Sequence, residues 1–175
     1  MPALDSIVHL VSEYGISGGG REAEHLFQRL TGATPAVSAS KGDAVLDGHL
    51  VEVKQASSNT LNQVRAVKFL PLVVYHRPSG SWYVIPAHEV VRRVAEKQRG
   101  QHTEIAFECA TLSLATLTEF RLSDPDELRE RTVAAAEESA QFVALKAEMK
   151  RVLEEAQQLA LDSRSRVRGV LARRD

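Results

Sequence analysis

From Gly42 to Lys54 the chain reads G-D-A-V-L-D-G-H-L-V-E-V-K, two short apolar runs, Ala44–Leu46 and His49–Lys54, joined only by Asp47-Gly48. Asp-Gly between apolar runs is a strong signal for a two-residue hairpin loop, since both turn residues must take positive φ. A loop this short fixes the register. Leu46 is expected to face His49, Val45 Leu50, Ala44 Val51, and Asp43 Glu52. Directly opposed residues hold their Cβ atoms ~4.5–5.5 Å apart, so two carboxylates are expected across from each other on one face. Strand side chains alternate, which puts Lys54 on the face of Glu52 and turns Val51 and Val53 into a core.

Like charges opposed across an exposed hairpin destabilise it by roughly 0.2–1 kcal/mol, and burial would raise one of the two proton affinities. A divalent cation removes the conflict, because hard cations such as Mg²⁺ take one or two carboxylates together with waters and substrate phosphate. Metal so held can activate water, polarise a phosphate and stabilise a leaving oxygen. Lys54 would hold the attacking water or neutralise charge developing on the phosphate. A bare Glu-x-Lys carries almost no information; here it ends the second strand of a hairpin whose first strand begins with Asp. The alternative is an edge hairpin whose Glu52 and Lys54 are merely solvated.

Around this hairpin the pattern alternates between helices and strands. Leu4, Ile7, Val8 and Val11 predict a short amphipathic helix, which Gly15 and Gly18-Gly19-Gly20 interrupt. A second helix is expected over Arg21–Leu30, with Ala23, Leu26, Phe27 and Leu30 on its apolar side and Gly32 as terminator. After Lys54 come a polar loop, Ala56–Asn59, and a short helix over about Leu61–Phe69. Pro71–His76 and Ser81–Ile85 are strands around an Arg77-Pro78-Ser79-Gly80 turn. Trp82 and Tyr83 are read as core. Pro86 opens a helix to about Gln98. The stretch from His102 to Leu122 is ambiguous, with a strand expected over Glu104–Glu108.

Composition changes at Ser123. Asp124-Pro125-Asp126-Glu127 supplies an N-cap, a first-turn proline and an acidic third residue. One long helix is expected from there to about Asp162. Leu128, Ala135, Phe142, Leu145, Met149, Val152, Ala156 and Leu159 fall near a 3.5-residue repeat, broken by Thr132 and Ser139. Such a helix either wraps the core or pairs with a second copy. The organisation is thus a core over residues 1–122 and a helical extension over 123–175 with an Arg-rich tail, Arg164, Arg166, Arg168, Arg173 and Arg174.

The chain has 175 residues, 43% hydrophobic and 26% charged, a globular composition. No apolar run reaches the ~18 residues needed to span a bilayer, and no secretory signal is expected, since the N-terminus shows no basic region, long apolar core and cleavage site in sequence. One cysteine, Cys109, cannot form an intrachain disulfide, and a reducing cytoplasm is the expected location. Histidines 25, 49, 76, 88 and 102 show no zinc-ligand spacing. The net charge of −1 provides no general basic excess, so a DNA-binding surface would have to be a local patch. Arg92, Arg93, Lys97 and Arg99 form one basic cluster. Gly18–Gly20 precedes a helix but lacks the Gly-Lys-Ser/Thr of a P-loop.

The stretch Gly42–Lys54 resembles the PD-(D/E)xK nuclease superfamily, with Gly42 where the motif carries proline. The likeness extends from about residue 15 to 100. Gly20-Arg21-Glu22-Ala23-Glu24-His25-Leu26-Phe27 is similar to the family's first helix, which adds an acidic residue to the metal site: Glu24, or alternatively Glu22. Asn62-Gln63-Val64 lies where archaeal Holliday-junction resolvases carry a glutamine beside the site. Pro71–His76 followed by Trp82–Pro86 resembles their next hairpin. The resemblance implies an α/β, restriction-endonuclease-like fold with a mixed four- or five-stranded sheet flanked by helices, and Mg²⁺ or Mn²⁺ held by Glu24, Asp43 and Glu52. It implies catalysis by Asp43, Glu52, Lys54 and Gln63, and hydrolysis of DNA, structure-selective or restriction-like, often by a homodimer. Arg21, Lys41, Arg65, Lys68, Arg92 and Arg93 are the candidate DNA contacts. The competing expectation is an inactive nuclease-like fold that binds DNA or assembles through its long helix.

Overall fold

The computed structural model describes residues 21–38, 41–97 and 109–171, with side chains to residue 168. The helix expected over 4–11, the strand expected over 104–108, and Arg99, His102, Arg173 and Arg174 lie outside the described residues.

Helix α1 spans Arg21–Thr31, with Glu22 and Glu24 in its first turn and Arg29 in its last, the polarity that suits a helix dipole. It buries Ala23, Leu26 and Phe27, whereas Leu30 is 42% exposed and does not join the core. Gly32 at φ +75 closes it in the left-handed conformation. Strands β1 (Thr34–Pro35), β2 (Ala44–Leu46), β3 (His49–Ala56), β5 (Leu72–His76) and β6 (Ser81–Ile85) form one sheet in the order β1-β2-β3-β5-β6. The pair β3–β5 is parallel and the other pairs are antiparallel. The β2–β3 hairpin has the expected register over Ala44↔Val51, Val45↔Leu50 and Leu46↔His49. Asp47 at φ 49 and Gly48 at φ 83 make its turn.

Val51, Val53, Val73, Trp82 and Val84 point to the face covered by α1, with Phe27 and Tyr75 against the Trp82 ring at centroid distances of 6.3 and 4.9 Å. Leu72, Val74, Tyr83 and Ile85 point to the other face. There they meet helix α2 (Ala87–Ala95) through Val90, Val91 and Val94. Trp82 and Tyr83 are core residues, as expected.

The segment expected as a helix over 61–69 is instead strand β4 (Thr60–Val64), followed by a 3-10 turn at Ala66–Lys68. β4 pairs antiparallel with β7 (Ala110–Ser113) in a second, two-stranded sheet. The register shifts between Leu61 and Val64, with Gln63 at φ 54. That bulge puts two residues between consecutive buried side chains, so an i, i+3 spacing arose in a strand and imitated helical periodicity. β4 and the 3-10 turn form the crossover that a parallel β3–β5 pair requires.

The long helix is also divided. A 3-10 turn at Pro125–Glu127, capped by the Asp124 carboxylate accepting from the Asp126 amide at 2.9 Å, leads into α3 (Leu128–Ala140). The chain breaks at Gln141-Phe142 and resumes as α4 (Val143–Leu171). Leu128, Thr132, Ala135, Ala136 and Ser139 of α3 are buried, and α3 contacts β6 and α1. Thr132 and Ser139, the polar intrusions in the apolar stripe, satisfy themselves by donating to the carbonyls of Leu128 and Ala135. Ser139 Oγ also accepts from the first amide of α2, Ala87 N, at 2.8 Å. Phe142 stacks on His88 with ring centroids 3.9 Å apart. In α4 Met149 is buried and Leu145 packs beside it, while Leu159, Leu161 and Val167 are 67, 55 and 59% exposed. Among the described residues no helix is long and apolar enough to cross a membrane.

Candidate active site

Glu52 lies in the middle strand of the sheet, between β2 and β5, with its amide donating to Pro71 O at 3.0 Å. Val51 and Val53 face the α1 side; alternation therefore turns Glu52 and Lys54 to the opposite face. Glu52 is 9% exposed, and a carboxylate so buried requires counter-charge. Two ammonium groups provide it. Lys54 Nζ is 3.9 Å from Oε1, and Lys68 Nζ, from the 3-10 turn of the crossover, is 2.5 Å from Oε2.

Asp43 does not continue the ladder opposite Glu52 as the hairpin arithmetic requires. Its amide donates to Val51 O at 2.9 Å, its carbonyl accepts from Ala36 N at 3.2 Å, and its carboxylate Oδ2 accepts from Val53 N at 2.9 Å. The reason is local. β2 ends at Ala44, so the Val53 amide has run out of strand partners, and the Asp43 side chain takes the missing carbonyl's role. Gly42, at φ +156, permits the departure. Proline, fixed near φ −65°, could not occupy this conformation.

Glu24 projects from the first turn of α1 and is half-buried. Its proton affinity is raised, first by burial, then by the negative charge of Asp43 and, more weakly, that of Glu52; His25 and Arg21 act in the opposite direction. Three carboxylates from three elements therefore share one electrostatic neighbourhood, with Arg21 beside them. Glu22 points elsewhere: its Oε2 accepts from Gln55 Nε2 at 3.1 Å, on the α1 side of the sheet. Glu22 Oε1 and Gln55 Oε1 are buried without a partner.

The remaining expected site residues are dispersed. Gln63 is exposed at the bulge of β4, and the ion pairs of Glu52 go to Lys54 and Lys68 instead. Lys41 and Arg65 are exposed. Arg92 is held by Glu89 at 2.5 Å and Arg93 by Glu119, so both of these arginines already have a carboxylate. Arg164, Arg166 and Arg168 are exposed on α4. Lys68, a candidate DNA contact, instead sits against Glu52, and no local sequence signal marks this place because it depends on the 3-10 turn after β4. A groove lined by Asp47, Asp126, Arg129, Glu130 and Glu137 lies at the hairpin tip, away from these carboxylates.

The donor chemistry of Glu24, Asp43 and Glu52 suits a hard divalent cation: all three offer carboxylate oxygen, and their mutual repulsion is what such an ion relieves. As the side chains stand, no group of three or more His, Cys, Asp or Glu among the described residues is closed around a metal position. Asp43 has one oxygen on an amide and Glu52 has one on Lys68.

No model of a known protein family matches the chain, and no curated protein matches it.

Proposed function

We propose that this protein is a Mg²⁺- or Mn²⁺-dependent deoxyribonuclease whose active site is formed by Glu24, Asp43, Glu52 and Lys54. One juxtaposition supports the reading: Glu24 of α1 lies within electrostatic reach of Asp43, just before β2, and of Glu52 on β3, and Lys54, two residues on along the same strand face, has its Nζ 3.9 Å from Glu52 Oε1. Glu24, rather than Glu22, is the third acid, because Glu22 is engaged by Gln55. The carboxylates would hold the metal, which when bound supplies charge for polarising a phosphate and activating water. Lys54, partly buried beside Glu52, orients water or offsets charge on the phosphate. Arg21, at the exposed start of α1 and near Glu24, meets the DNA backbone, with Lys41 and Arg65 as further contacts. The DNA would be a branched or a sequence-selected duplex, and the enzyme would act as a homodimer.

The test is incubation of the purified protein with linear duplex, single-stranded, flap and four-way-junction DNA, in Mg²⁺, Mn²⁺ or EDTA, beside Glu52→Ala. Metal-dependent cleavage lost in the variant is the expected result. Equal cleavage by the variant would remove Glu52 from the site.

A second reading, an inactive nuclease-like fold that binds DNA or assembles with partners, is favoured by α4. Its distal half leaves Leu159, Leu161 and Val167 exposed. That reading expects no cleavage of any substrate, and loss of DNA affinity or of the oligomer when residues 159–175 are removed.

A further inference from the structure

Lys68 is placed against Glu52 by an unusual piece of backbone. It ends the 3-10 turn at Ala66–Lys68, and the next residue, Phe69, takes the left-handed conformation at φ 49, ψ 51. An aromatic residue is strained there. Phe69 is nonetheless only 6% exposed and belongs to the core cluster, so packing holds the strained turn in place. Six residues before Phe69, Gln63 also has positive φ. The crossover thus departs from ordinary backbone twice on the way to presenting one ammonium group. The Lys68 side chain is 15% exposed, and its Nζ is 2.5 Å from Glu52 Oε2, closer than that of Lys54.

An ammonium at that distance and a divalent cation compete for the same carboxylate, because each draws on its negative charge and the two repel each other. Lysine is nevertheless suited to yield, being a point charge on a flexible four-carbon stem. Resting on the metal reading above, we propose that Lys68 is a resident counter-ion: it neutralises Glu52 in the metal-free protein, is displaced when a divalent cation binds, and is thereby released toward substrate phosphate. Lys68 is a positioning residue for Glu52 in the first state and a phosphate contact in the second. Metal and DNA binding are then coupled, and by linkage each tightens the other.

The experiment is calorimetric titration of the full-length protein with Mn²⁺ alone, in the absence of DNA. It compares wild type with Lys68→Met, Lys68→Arg and Glu52→Gln, each checked for folding by circular dichroism. Lys68→Met should bind Mn²⁺ roughly five- to tenfold more tightly, the scale of losing one competing ion pair. Lys68→Arg, which keeps the charge, should stay near wild type, and Glu52→Gln should lose binding. In EDTA, Lys68→Met should melt below wild type, and Mn²⁺ should close the gap. If Lys68→Met fails to fold, Lys68→Gln serves in its place. Equal or weaker binding by Lys68→Met, or by Lys68→Gln in its place, with binding still dependent on Glu52, overturns the counter-ion role and leaves the metal site standing. No Mn²⁺ binding by wild type or Lys68→Met overturns both.

Discussion

The Asp43 carboxylate accepts a hydrogen bond from the Val53 amide, Oδ2 to N 2.9 Å, so a proposed metal ligand also completes the edge of the β2–β3 ladder. The two roles separate by substitution. Asparagine keeps an acceptor oxygen, whereas alanine leaves the amide without its partner. Asp43→Ala should cost about 1–2 kcal/mol in urea denaturation, and Asp43→Asn distinctly less. Both should lose cleavage and Mn²⁺ binding. If Asp43→Asn retained both, Asp43 would be a structural cap and not a ligand.

The backbone under Asp43 makes a second prediction. A Cβ on Gly42 would lie 3.2 Å from Leu70 Cδ1 and 3.3 Å from the Val51 carbonyl oxygen, at φ +156 where L side chains are strained. The leucine tip can give way; the backbone oxygen cannot. Gly42→Ala should destabilise by roughly 1–3 kcal/mol, and Gly42→Pro, which cannot adopt this φ at all, by more. Since Gly42 directs Asp43 to Val53, loss of metal affinity should accompany loss of stability. A Gly42→Ala protein as stable as wild type would show that the turn is less constrained than its geometry implies.

The elements that were legible in the sequence are those whose periodicity has a single cause. Asp47-Gly48 gave the hairpin and its register because a two-residue loop admits one solution. Ala23, Leu26 and Phe27 gave α1 because one face is buried. The strand over 60–64 was misread because its bulge at Gln63 spaces Leu61 and Val64 as a helix would. The break at Gln141-Phe142 was hidden because neither glycine nor proline marks it. It is made by tertiary contacts, Phe142 on His88 and Ser139 on Ala87 N. In the candidate site, the proximity of Glu52 and Lys54 on one strand face was readable from strand alternation. The departure of Asp43 from the ladder depends on where β2 ends, and the approach of Lys68 on a long-range turn, neither of which spacing encodes.

His76 provides a pH dependence away from the carboxylates. Its ring lies at the end of β5, with Nδ1 2.7 Å from Ser79 Oγ. Burial, and then the positive charge of Arg121, hold its proton affinity below the ordinary value of 6.5. Between the folded value and 6.5 the unfolded chain binds the proton more readily than the folded one. Stability therefore rises with pH across that window and is lost as pH falls below 6.5 toward the folded value. Urea melts at about pH 7.5 and about pH 5 should show a loss in wild type that is smaller in His76→Gln. An unchanged pH difference in the variant would assign the acid sensitivity to other groups.

Met149 is the anchor of α4. It is 3% exposed and belongs to the cluster formed by α2, β4 and β7, with Leu145 packed beside it. Beyond it Leu159, Leu161 and Val167 are exposed. Stability and assembly should therefore divide along the helix. Met149→Ala should cost about 2–5 kcal/mol, the range for emptying a buried apolar site. Truncation after Gln158 should leave the melting temperature within a degree or two, since surface residues away from buried features contribute little. Light scattering on the same truncated chain tests the homodimer: an oligomer dissolved at unchanged melting temperature identifies the distal half of α4 as the interface. Retained oligomeric state would locate any interface on the core.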